Sequence, residues 1–168
     1  EPFFSFLVTY SAHLPYTSET EVCQNKMQDK FYNKDDYETS CFKSTLYDTD
    51  TFINKLITKL KNDNKLDDTV IALVGDHYPY TLSTDEMNEV SSYEKDGTIE
   101  VNHSNFILWN NQIKKPITVS KVGSQIDVLP TILNLFGIEY DSRLIVGQDI
   151  LSDTDGIAIF SNRSWVTD

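Results

Sequence analysis

An aspartate and a histidine stand side by side at Asp76-His77, directly after the apolar run Thr69-Val70-Ile71-Ala72-Leu73-Val74 and Gly75. A carboxylate oxygen and an imidazole nitrogen together suit manganese or zinc better than the all-oxygen cage that calcium prefers. Neighbouring residues on a regular strand point to opposite faces, so the pair can grip one ion only where the chain leaves strand geometry. Gly75 permits that bend. Two ligands do not complete a site, and further donors must come from elsewhere. His13 follows a second apolar run at residues 3–10, and His103 stands just before a third, Asn105-Phe106-Ile107-Leu108-Trp109. In covered α/β sheets, ligands bind beyond the carboxyl ends of the strands, which singles out His13 and Asp76-His77. His103 is a secondary candidate that could face the same crevice. Plainer readings stand beside these: a turn cap next to a half-buried histidine for Asp76-His77, and surface loops for His13 and His103.

The elements that must position these groups follow from pattern. Phe3-Phe4-Ser5-Phe6-Leu7-Val8-Thr9-Tyr10 is dense in aromatic and branched residues and predicts a buried strand, closed at Pro15. Residues 17–44 are polar and poorly periodic, and predict a long surface excursion with room for a helical turn. Ile53, Leu56, Ile57 and Leu60 recur at helical spacing within residues 46–60, with Lys59 and Lys61 near the end where cations suit the helix dipole. The run at 69–74 predicts a strand covered on both faces, residues 105–109 a short strand, and 157–160 a last one. Ser124-Gln125-Ile126-Asp127 has the form of a helix cap, with Pro130 tolerable only in the first turn and Gly137 as the stop. Strand, helix, strand, strand, helix, strand fits a layered α/β domain. No internal repeat, phosphate-cradling glycine loop or Gly-x-Ser-x-Gly elbow is visible.

Composition bounds the function. The 168 residues are 39% apolar and 24% charged, enough for one buried core and about one domain. A net charge of −12 opposes nucleic acid and anionic bilayers as partners. Lys26, Lys30, Lys43 or Arg143 could make a cleft locally positive. No apolar run approaches the roughly 20 residues of a membrane-spanning helix, and the opening Glu1-Pro2 suggests a piece of something longer. Cys23 and Cys41 flank a polar stretch with little to bury; no Cys-x-x-Cys spacing favours metal. A disulfide is the expectation, with two unpaired thiols as the alternative.

Taken together, Ser11-Ala12-His13-Leu14-Pro15-Tyr16, Val74-Gly75-Asp76-His77-Tyr78, the helix segment Ser124-Gln125-Ile126-Asp127-Val128-Leu129-Pro130-Thr131-Ile132-Leu133-Asn134-Leu135-Phe136-Gly137-Ile138 and the turn Gly147-Gln148-Asp149-Ile150-Leu151-Ser152 resemble a known family. In order and spacing they look like the C-terminal half of the lipoteichoic acid synthases and related sulfatase-like phosphoglycerol transferases. The resemblance implies an α/β fold of three layers, α/β/α, like alkaline phosphatase. Residues 1–168 would form a single partial catalytic domain whose nucleophile-bearing half lies upstream. It implies a membrane-anchored parent on the extracellular face of a bacterial membrane, and one divalent metal, manganese first and zinc or calcium after it. In such enzymes a threonine attacks the phosphodiester of a lipid headgroup and forms a phosphoryl-enzyme ester. The glycerol phosphate then passes to an acceptor.

By the matching motifs, Asp76 and His77 would be metal ligands and His13 would contact the substrate phosphate, part of a lipid-linked glycerol phosphate or similar anionic headgroup. No catalytic nucleophile falls within these residues, so the isolated chain is expected to be inactive. Tyr78-Pro79-Tyr80 departs from the family pattern, and the resemblance carries nothing over for the segment between Cys23 and Cys41. Two alternatives remain: a sulfatase or phosphodiester hydrolase of the same fold, and a non-catalytic binding module that keeps the scaffold.

Overall fold

The computed structural model describes residues 2–168, and the chain divides into two compact units. The first runs up to Val70 and resumes over His77–Asn105, and the second joins Ile71–Asp76 to Phe106–Asp168.

The first unit is helical. A six-residue helix, α1, spans Glu21–Lys26, and a long one, α2, spans Tyr37–Asn62. The helix expected from residue 46 thus starts at Tyr37, where the Asp36 carboxylate caps it by accepting the Thr39 N–H at 3.3 Å. The extra turns bury Thr39, Ser40, Cys41, Ser44 and Thr45 rather than aliphatic side chains. Ser40 and Ser44 donate their hydroxyls to the carbonyls of Asp36 and Ser40, each at 2.7 Å, so both enter the interior satisfied. Cys23 of α1 and Cys41 of α2 are joined by a disulfide and are buried against Tyr16, Leu82 and Met87. Met87 belongs to α3, Thr84–Val90, which opens on a reciprocal capping box between Ser83 and Glu86.

Residues 3–10 are neither strand nor helix. Their side chains are exposed, Phe3 by 83% and Val8 by 78%. The expectation of a buried strand fails here for a physical reason: a strand exists through ladder bonds to a neighbour, and among the described residues none pairs with this segment.

In the second unit β1, Ile71–Val74, pairs antiparallel with β2, Phe106–Trp109, in the register Ile71↔Trp109 to Val74↔Phe106. β3, Ile157–Ile159, pairs with β4, Trp165–Thr167, again antiparallel. Among the described residues the strands therefore form two separate two-stranded sheets. The reading of β1 as covered on both faces is corrected: burial alternates along it, and Val74 is half exposed. A short continuous apolar run does not reveal by itself how many of its faces are covered.

Helix α4, Val128–Leu135, follows a 3-10 turn at Gln125–Asp127, with Pro130 in its first turn and Gly137 at φ +62° as its stop. Asp127 is buried and uses both oxygens: Oδ2 accepts the Ser124 N–H at 2.7 Å and Oδ1 the Gln148 N–H at 2.8 Å. Thr131 donates to the Asp127 carbonyl at 2.6 Å and accepts the Ile150 N–H at 2.9 Å. These bonds press the 147–150 turn onto the helix entry. A Cβ at position 147 would sit 2.0 Å from the Ile126 carbonyl oxygen, so only glycine fits there. Among the described residues, no helix is long and apolar enough to cross a membrane.

Candidate functional site

In the first unit the structure brings His13 and His77 together, 64 positions apart in the sequence, with ring centroids 6.1 Å apart and planes edge to face. Each ring is backed by a tyrosine. Tyr10 stacks on His13 at 5.9 Å with planes 6° apart, and Tyr80 stacks on His77 at 4.4 Å. Tyr78 then meets Tyr80 edge-on at 5.3 Å.

Both imidazoles are fixed by the same local device. His13 Nδ1 lies 2.7 Å from the Leu14 carbonyl oxygen, and His77 Nδ1 lies 2.8 Å from that of Tyr78. A carbonyl can only accept, so Nδ1 carries the proton in each ring, and in the neutral ring the lone pair belongs to Nε2. In both cases the accepting residue precedes a proline, whose ring restricts the conformation of the residue before it. The pattern is thus His-x-Pro-Tyr twice over, at His13-Leu14-Pro15-Tyr16 and His77-Tyr78-Pro79-Tyr80. This small repeat escaped the reading of the sequence, although it was the signal that could have linked the two histidines. It also gives the Tyr78-Pro79-Tyr80 departure a structural role, since Tyr80 is the residue stacked on His77.

The His13 side chain rides on a turn closed by its own N–H, which donates to the Tyr10 carbonyl at 3.0 Å. Within that turn Ser11 donates its hydroxyl to Asp48 Oδ2 at 2.6 Å, and Lys26 reaches Asp48 Oδ1 at 3.1 Å. The Ser11 hydrogen bond, then the Lys26 ammonium, hold the Asp48 carboxyl below its ordinary range. Tyr16, at the end of the same segment, is buried and donates to the Ala12 carbonyl at 2.9 Å.

Asp76 stands in the second unit, at the exit of β1. The turn that carries it is held by Gln125, whose Nε2 donates to the Gly75 carbonyl at 2.8 Å and to the Asp76 carbonyl at 2.6 Å. Gln125 entered the sequence reading only as the second residue of a helix cap; nothing in its spacing announced this second role. Asp76 and His77 are chain neighbours, and both side chains are exposed.

His103 is engaged by other groups. It stacks on Tyr93 at 3.8 Å, and its carbonyl accepts the Lys95 ammonium. The cations that could have made a cleft positive are already engaged. Lys26 pairs with Asp48, Lys43 with Glu89 and Arg143 with Asp141, while Lys30 sits over the Tyr47 ring.

Asp76 and His77 fit part of a divalent-metal site by donor chemistry, one carboxylate and one imidazole whose Nδ1–H is already given to a carbonyl. Among the described residues, no three histidine, cysteine, aspartate or glutamate side chains form a ready ligand cluster, so the pair would be a partial ligand set.

Residues 1–138 match the family model described as Sulfatase. Among curated proteins, the chain is 30% identical over 170 residues to the lipoteichoic acid synthase of Staphylococcus saprophyticus, covering 99% of this chain and 26% of that protein. It is 26% identical over 177 residues to the lipoteichoic acid synthase-like YvgJ of Bacillus subtilis, covering 99% of this chain and 28% of the relative. Identity to the lipoteichoic acid synthase of Staphylococcus aureus is 28% over 174 residues, again with 99% of this chain and 26% of the relative. The chain thus spans about a quarter of the length of these relatives. No solved structure matches it at a significant level.

Proposed function

The chain belongs to the sulfatase family, and from that premise we propose that it is part of an extracellular, metal-dependent phosphoglycerol transferase. The substrate is a membrane-lipid phosphodiester bearing glycerol phosphate or a related anionic headgroup. The reaction proceeds through a phosphoryl-threonine whose threonine lies outside these residues, so the chain alone does not turn over. In the whole protein the domain is a three-layer α/β/α, and residues 3–10 find their sheet partner in chain beyond this piece. The names of the similar synthases support the substrate class.

The observation that carries the reading is the approach of His13 to His77, each with Nδ1 committed to a carbonyl. Asp76 and His77 would hold the metal, manganese first, which when bound lowers the pKa of a nucleophile and neutralises charge on the phosphoryl group. His13 is left with Nε2 for the substrate. That nitrogen donates to a phosphate oxygen when the ring is protonated and accepts from a hydroxyl when it is neutral. Tyr10 and Tyr80 hold the two rings from behind, which limits their rotation.

The test is Asp76→Ala in the whole protein, assayed for manganese-restored transfer of glycerol phosphate after chelation. We expect turnover to fall at least about a thousandfold with no restoration by manganese. Turnover that stays at the wild-type level, or that manganese restores, would refute the ligand assignment. Release of free glycerol phosphate without transfer would favour a hydrolase of the same fold instead.

A further inference from the structure

The disulfide between Cys23 and Cys41 is left unexplained by the transferase reading. Cys41 and Asp48 stand two helical turns apart on α2, one rigid rod. Cys23 and Lys26 stand three positions apart on α1, and the disulfide ties α1 to α2 at Cys23–Cys41. The covalent tie holds the Lys26 end of α1 alongside Asp48. Lys26 then takes one carboxylate oxygen of Asp48, at 3.1 Å, and fixes how that carboxylate faces. The other oxygen receives the Ser11 hydroxyl at 2.6 Å. Ser11 lies inside the turn that His13 closes with its own N–H on the Tyr10 carbonyl.

We propose that Ser11 and Asp48 are positioning residues for His13, and that the disulfide-bonded excursion serves to hold Lys26, the counter-ion of Asp48, in place. This rests on the reading of His13 as the substrate-contacting residue. The chain of contacts runs disulfide, Lys26, Asp48, Ser11, His13, and its links Cys23–Cys41, Lys26–Asp48 and Ser11–Asp48 join segments distant in sequence. A hydroxyl-to-carboxylate bond is short and directional, and stronger than one between neutral groups. It therefore sets the orientation of the turn as well as its stability. The His13 ring then lies flat on Tyr10 and edge-on to His77, the arrangement on which the site depends. A shift of about 1 Å in such a group is enough to slow a reaction by up to about a hundredfold.

The experiment compares Ser11→Ala, Ser11→Thr and Asp48→Asn in the whole protein by three readouts. These are kcat and KM for glycerol-phosphate transfer, the thermal midpoint, and the rate at which diethyl pyrocarbonate modifies His13, with His103 as internal reference. For Ser11→Ala we expect kcat to fall about tenfold with KM within about twofold. His13 should be modified several times faster while His103 is unchanged, and Ser11→Thr, which keeps the hydroxyl, should restore both. Asp48→Asn should fall between. A Ser11→Ala protein with wild-type kcat and wild-type His13 reactivity overturns the proposal. So does a Ser11→Thr protein as impaired as the alanine variant, or a His13 reactivity that rises only in step with a lowered thermal midpoint. If the wild-type protein transfers no glycerol phosphate, the functional reading fails instead, and the His13 to His103 reactivity ratio alone decides the positioning claim.

Discussion

At the His13 turn, a serine hydroxyl reaches a carboxylate that a lysine already holds; at the Asp76 turn, one glutamine amide spans two backbone carbonyls. The first tie uses charge and is braced by a disulfide two helical turns away along α2. The second uses neutral groups only and needs no brace, because Gln125 sits at the entry of α4, itself locked by the buried Asp127. The contrast teaches that two turns, each carrying a candidate site residue, can be tied by different chemistry and so respond to different perturbations. Charged ties answer to pH, salt and the loss of their scaffold, whereas amide-to-carbonyl ties answer mainly to deletion of the donor.

The strongest way to break this comparison is to open the disulfide. For a sequence separation of 18 residues, chain-entropy reasoning gives a loss of about 3 kcal/mol on replacing both cysteines by serine. Denaturant unfolding of the whole protein should show that loss, and hydrogen exchange should place it in α1, α2 and the His13 turn. Equal loosening at the Gln125 tie would mean that the two turns do not rely on separate supports.

A gentler contrast separates the ties by chemistry. Gln125→Ala removes two hydrogen bonds from partly exposed carbonyls and should cost about 1–2 kcal/mol, unaffected by salt. The Asp48 tie contributes less, because both Lys26 and Asp48 are partly exposed and their attraction is screened. The Asp48 pKa in the folded protein lies below its ordinary 3.8. Its contribution is therefore complete above that value and is lost as pH falls through the folded pKa. Hydrogen exchange at the His13 amide, corrected for intrinsic rates, should accelerate on that descent, while the Gln125 tie, made of an amide and two carbonyls, loses no bond to the protonation of Asp48. Parallel acceleration at both turns would contradict the assignment.

Much of this arrangement could be read from the sequence, and what could not has identifiable causes. The C-terminal half of α2 announces itself through Ile53, Leu56, Ile57 and Leu60, and α4 through its cap, Pro130 and Gly137. The N-terminal half of α2 was invisible because its buried face is Thr39, Ser40, Cys41, Ser44 and Thr45, which hydropathy scores as polar although the helix satisfies Ser40, Ser44 and Thr45 on its own carbonyls. Helix α3 lay hidden in a polar stretch, with Ser83-x-x-Glu86 as its only signature. The strand expected at residues 3–10 shows the converse error: intrinsic preference for extended structure does not supply a partner. Asp76 and His77 stand out in the sequence from their place after an apolar run, and the structure puts Asp76 at the exit of β1. The meeting of His77 with His13 does not show in the sequence, because contact between distant residues leaves no periodic trace. Only the repeated His-x-Pro-Tyr hinted that the two rings share one local geometry.

The central proposal is that Asp76 and His77 are ligands of a divalent cation. It is tested most directly by manganese binding to the whole protein, followed by electron paramagnetic resonance of the free ion, in wild type and His77→Ala. The account predicts one tightly bound manganese per chain in the wild type and none in the variant, with the thermal midpoint of the metal-free proteins unchanged. A His77→Ala protein that binds manganese with wild-type stoichiometry and affinity would contradict it.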